Sequence, residues 1–124
     1  MQAAGQGSLR RMNGVGYSYF EGLGAERDVA KGYEWLLAAA QAGQPNAMQT
    51  LGAIFLDGTG RAPDFGQAYR WLSLAVRTYP DDDEKLPSAR AMRDRAAAML
   101  SDRQRADIDA LMQHWQPVAP RLPD

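Results

Sequence analysis

The sequence predicts an all-α fold, an α–α superhelix of about six antiparallel helices. Three observations predict it. One skeleton occurs twice: a shift of 36 residues carries Gly16 onto Gly52, Gly22 onto Gly58, Gly24 onto Gly60, Asp28 onto Asp64, Tyr33 onto Tyr69, Trp35 onto Trp71, Leu36 onto Leu72 and Ala39 onto Ala75. That period matches a stacked supersecondary unit. Within each copy, apolar residues recur at spacings of three and four, the signature of an amphipathic helix. A glycine pair and then an aspartate separate the two helical stretches of each copy, as a turn and an N-cap do.

Taken in order, the first helix carries Val15 and Tyr19 on its apolar side and ends at Gly22 and Gly24. Asp28 is placed to cap the second helix, which carries Trp35, Leu36, Ala39 and Ala40. Gly32 stands there in place of the alanine at 68, a loss of roughly 1 kcal/mol of helix propensity. Pro45 suits the first turn of the third helix, whose core residues are Ala47, Leu51, Ile54 and Phe55. Gly58 and Gly60 close it. Asp64 then caps a fourth helix bearing Ala68, Trp71, Leu72 and Ala75. Gly16 and Gly52 sit mid-helix in both copies, where glycine is unfavourable, so close helix packing is expected there.

The pattern breaks after Thr78. Residues 79–84 form a polar, acidic loop, and a fifth helix runs from Pro87 to Leu100. Ser101 with Gln104 matches a capping box and opens a sixth. Ile108, Leu111, Met112 and Trp115 give that helix a narrow apolar stripe. Pro117, Pro120 and Pro123 then favour an extended tail. Ala3, Ala4 and Gly7 stand one period before Ala39, Ala40 and Gly43. The expected division of this single domain is therefore a remnant of a preceding repeat at 3–7, repeats at 8–43 and 44–79, capping helices at 80–116 and a tail at 117–124. A remnant implies either a piece of a longer protein or a short natural form.

With 124 residues and a formal net charge of -1, the chain is one domain with no global field for nucleic acid or an anionic membrane. It has no cysteine, so thiolate chemistry and disulfides are excluded. The longest apolar run, which starts at Trp35, is too short to span a bilayer, and no membrane insertion is expected. The one histidine, His114, has no second histidine or cysteine to complete a metal site. Neither Ser-x-x-Lys nor Gly-x-Ser-x-Gly occurs to support a hydrolase acting on a cell-wall or lactam substrate. The glycine pairs follow helices, and no Lys-Ser/Thr completes a phosphate loop. The run Asp81–Glu84 lacks calcium-loop spacing. No cofactor is expected. The arginines at 90, 93, 95, 103 and 105 are interspersed with aspartates that can pair with them locally.

The pattern Leu51-Gly52-x-x-Phe55-x-x-Gly58-x-Gly60-x-x-x-Asp64-x-x-x-Ala68-x-x-Trp71-Leu72-x-x-Ala75 resembles the Sel-one-like repeat family of tetratricopeptide-like hairpins. The resemblance covers residues 3–78, and 89–115 resemble the C-terminal cap of bacterial members. Ala25 and Arg61 depart from the valine the family often carries after its glycine pair. The resemblance implies a right-handed superhelix whose first helices line a concave face. It also implies a non-enzymatic adaptor or scaffold role, regulatory or envelope-associated, in a bacterial cytoplasm or periplasm. On that basis the groove residues are Arg10, Asn13, Tyr17, Phe20 and Glu21 from the first unit, with Asn46, Gln49, Ala53, Leu56 and Asp57 from the second. A protein or peptide is the expected partner, with aromatic anchors at Tyr17 and Phe20 and amides at Asn13 and Gln49 for a peptide backbone. The alternative is a structural fragment that self-associates through an open N-terminal end.

Overall fold

The computed structural model describes residues 6–21, 28–58 and 62–119. Six helices follow one another: α1 (Gln6–Glu21), α2 (Val29–Gln41), α3 (Pro45–Asp57), α4 (Phe65–Thr78), α5 (Leu86–Ala98) and α6 (Asp102–Met112). Gln6 and Gly7 already belong to α1, and positions 3–5 of the expected remnant lie outside the described residues.

The 36-residue symmetry reaches individual hydrogen bonds. The amide of Asp28 donates to the carbonyl of Tyr19 at 2.8 Å, and that of Asp64 to Phe55 at 2.9 Å. Each aspartate then caps the next helix, accepting from Lys31 N–H in one unit and Gln67 N–H in the other, both at 3.0 Å. The two units therefore enter their second helices in the same way. Gly58 adopts φ +72°, the left-handed conformation that glycine closes a helix with. Gly22, Gly24 and Gly60, the other turn glycines, lie outside the described residues.

Gly16 and Gly52 do the packing expected of them. A Cβ at Gly16 would lie 2.8 Å from Leu36 Cγ and 3.0 Å from the Gly32 carbonyl oxygen. A Cβ at Gly52 would lie 2.4 Å from Leu72 Cγ. Leu36 and Leu72 are themselves one period apart, so each hairpin closes over the same glycine–leucine contact. The Gly32 carbonyl is part of this close approach of α1 and α2 at Gly16.

Consecutive helices pack in sequence order from α1 to α5. In addition α1 touches α3, and α3 touches α5. The helices α2 and α4 have no comparable contact. One layer, α1, α3 and α5, is therefore drawn together while the other is splayed, and the stack bends with the first layer on its concave side. The shared core comprises Leu36, Ala39, Met48, Leu51, Phe55, Trp71, Leu72 and their neighbours.

Several expectations are corrected in the C-terminal part. The helices α5 and α6, expected as capping helices, both pack on α4 more than on each other. Arg105 joins their ends by donating to the carbonyls of Ala97 and Leu100, both at 2.8 Å, and also pairs with Asp102. The guanidinium satisfies the Leu100 carbonyl and adds a further donor to Ala97 O, which already accepts the Leu100 N–H at 3.1 Å. The capping box at Ser101 and Gln104 is formed. Leu111, expected in the apolar stripe of α6, is 77% exposed because that helix has only α4 to pack on. Trp115 lies beyond the end of α6 and is half-buried against the core. Residues 115–119 belong to no helix, and Val118 N–H donates to Gln41 O at 2.8 Å. Pro117 lies against Gly43.

In the first unit, Met12 and Gly16 are the buried positions of α1 among the described side chains, while Val15 and Tyr19 are half-buried. Leu56, expected in the groove, is only 8% exposed. The reason is that α3 is interior, touched by α1, α2, α4 and α5, so its apolar residues are covered on several sides.

Candidate protein-binding groove

The inner layer encloses an open cavity of about 450 Å³. Asn13 and Tyr17 from α1 form one wall, Asn46, Gln49, Thr50 and Ala53 from α3 the floor, and Lys85 and Met92 the far wall. Tyr79 reaches into it from the end of α4. A second cavity of about 280 Å³ adjoins the first through Asn46 and Tyr79 and includes Arg10 and Asp83.

Six of the ten residues expected from the sequence thus line these two cavities: Arg10, Asn13, Tyr17, Asn46, Gln49 and Ala53. Phe20 and Glu21 have side chains outside the described residues. Asp57 is exposed but turned to Arg95 of α5, 3.8 Å away.

The floor is polar and largely engaged within the protein. The Tyr79 hydroxyl lies 2.7 Å from Asn46 Oδ1 and 2.8 Å from Gln49 Oε1 and donates to them. It carries one proton, so it donates to one of the two carbonyls at any moment. Burial first, and the Asp83 charge second, hold this phenol well above its ordinary pKa, so it remains a neutral donor at ordinary pH. Gln49 Nε2 donates to Ser88 Oγ at 3.0 Å, and Lys85 Nζ to Asn46 Oδ1 at 3.2 Å. The amide of Gln49, expected to be open to a peptide backbone, is therefore largely engaged within the protein, as is that of Asn46.

Asn13 differs from its repeat equivalent, Gln49. Its Oδ1 is buried and has no hydrogen-bond partner among the described residues. An acceptor left in that state costs about 1–3 kcal/mol. Beside it, Tyr17 is 46% exposed, a large aromatic surface open to contact.

Thr50, Tyr79, Lys85 and Met92 were not among the expected groove residues. Reading the fifth helix as a cap hid its role as the third inner helix. Tyr79 had a signal: it stands one period after Gly43, so an aromatic replaces the glycine that ends the first unit.

Among the described residues no group of histidine or acidic side chains could hold a metal ion. No helix there is long and apolar enough to cross a membrane.

The Sel1 repeat profile matches residues 12–44 and 45–77, the two halves of the observed symmetry and more than half of the chain. The chain belongs to the Sel1 repeat family. A solved structure, a Sel1 repeat protein from Oxalobacter formigenes, superposes with a TM-score of 0.56 at 25% sequence identity. The match covers 96% of this chain and 53% of that one, so this Sel1 repeat chain spans about half the length of its structural relative. Comparison with the curated proteins finds no match. Sel1 repeats are a non-catalytic helical scaffold that generally mediates protein–protein interaction, so protein partners are the expectation the family sets.

Proposed function

We propose that this Sel1 repeat module is a non-enzymatic adaptor whose concave groove holds a segment of a partner protein. The observation that carries the reading is the cavity at the junction of α1, α3 and α5. It joins an exposed aromatic ring, Tyr17, to a buried acceptor without a donor, Asn13 Oδ1. An exposed aromatic is the common anchor of an interface. A backbone N–H of an extended segment would supply the donor that Asn13 lacks. Tyr79 and Gln49 brace the floor, so the surface is preformed and loses little freedom when a segment docks.

The test is capture of partner proteins by the full chain, by Tyr17→Ala and by Ala53→Arg, with helicity and melting checked in parallel. Ala53 is half-buried in the groove floor, and arginine there fills the space a segment would occupy. Both variants are expected to retain helicity and to lose the proteins that the native chain holds. Retention of the same proteins by both folded variants would move binding off this face.

A further inference from the structure

We propose that the segment held in the groove carries an acidic side chain, whose carboxylate sits against Lys85 and within reach of Arg10. This deepens the groove reading above and rests on it. Among the described residues, Lys85 is the one charged side chain lining the larger cavity. Its Nζ bonds a neutral amide oxygen, Asn46 Oδ1, and no carboxylate lies within ion-pair distance of it among the described residues. On α5, Arg93 pairs with Asp94 at 3.2 Å and Arg95 with Asp57 at 3.8 Å, while Arg90, which lines neither cavity, has no ion pair among the described residues. Arg10, in the adjoining cavity, is exposed and likewise without an ion pair among the described residues. Asp83, the one acidic residue lining that cavity among the described residues, accepts the backbone N–H of Lys85 at 2.8 Å.

An ammonium on a flexible stem can exchange a neutral amide for a carboxylate with little rearrangement, and a charged acceptor makes the stronger bond. The exchange also leaves Asn46 Oδ1 with the Tyr79 hydroxyl alone, so its second lone pair can take a donor from the incoming backbone. An acidic side chain within a chain fits better than a chain terminus. The two cavities share Asn46 and Tyr79, so a segment seated in one continues into the other. The chemistry on the page is thus a carboxylate at Lys85, a backbone N–H at Asn13 Oδ1 and an apolar contact on Tyr17 and Met92.

Selection from a library of random peptides displayed as internal segments tests it. The library is selected separately on the native chain, on Lys85→Gln and on Lys85→Glu. The native chain is expected to enrich peptides with aspartate or glutamate, which should bind Lys85→Gln about tenfold more weakly. Lys85→Glu should enrich lysine or arginine instead. The inference is overturned if peptides lost on Ala53→Arg show no acidic enrichment and bind Lys85→Gln unchanged; the groove reading then survives. If the selected peptides bind folded Ala53→Arg as well as the native chain, or if none is selected, the groove reading itself fails and this inference with it.

Discussion

At the scale of residues, the two mid-helix glycines show how a local disadvantage becomes a packing requirement. A methyl at Gly52 would collide with Leu72 Cγ at 2.4 Å, whereas one at Gly14, also within a helix, would meet nothing within 4 Å. Gly52→Ala is therefore expected to destabilise the protein by about 1–3 kcal/mol, from overpacking. Gly14→Ala is expected to stabilise it by about 0.5–1 kcal/mol, because alanine loses less freedom in a helix. Urea denaturation of both variants checks the contrast; equal effects would mean that Leu72 yields. Tyr79 supplies a pH prediction. Its phenol pKa is raised in the folded state, mainly by burial, while the unfolded chain loses the proton near the ordinary value of 10.0. The native state then holds a proton that the unfolded state has released, so stability falls as pH rises past 10. Tyr79→Phe should flatten that alkaline loss, read from urea midpoints on either side of pH 10. An unchanged slope would show that burial does not hold the proton. Gly16, Gly52, Asp28 and Asp64 were legible in the sequence because each recurs in register. Tyr79 was not, because it occurs once and its partners, Asn46 and Gln49, lie some thirty residues away.

At the scale of elements, helix starts are set by side chains that the sequence displays openly. Asp64 bonds Gln67 N–H at 3.0 Å. Asp64→Ala is expected to cost about 1 kcal/mol and Asp64→Asn much less, because asparagine keeps the accepting oxygen. Thermal melts at neutral pH would separate the two, and equal losses would attribute the effect to charge alone. Gln44 was less legible: it is 1% exposed and caps α3 through Ala47 N–H at 2.8 Å, and glutamine is not a preferred capping residue. The sixth helix was legible in place, but the helix it packs on was not. Its periodicity identifies an apolar side, and periodicity carries no information about whether α4 or α5 covers it. The link from Arg105 to the end of α5 depends on the bend between those helices, and spacing does not reveal such a bend.

At the scale of the whole molecule, repetition explains both the curvature and the candidate surface. Identical glycine–leucine closures make two similar hairpins, and contact among α1, α3 and α5 without comparable contact between α2 and α4 makes one face concave. The helical repeat was legible because every period restates it. The groove was legible only in part, because its far wall comes from α5, which has no counterpart in the repeat. Leu56 was misplaced for the related reason that an interior helix is covered on more sides than a single hairpin shows. Site-specific photo-crosslinking in the source cell tests the central claim most directly, with a photoreactive phenylalanine analogue replacing Tyr17 on the inner face or Leu111 on the outer. The account predicts adducts with a partner protein from position 17 and none of that protein from position 111. Adducts from position 111 alone, or from position 17 only with a second copy of the chain, would contradict it.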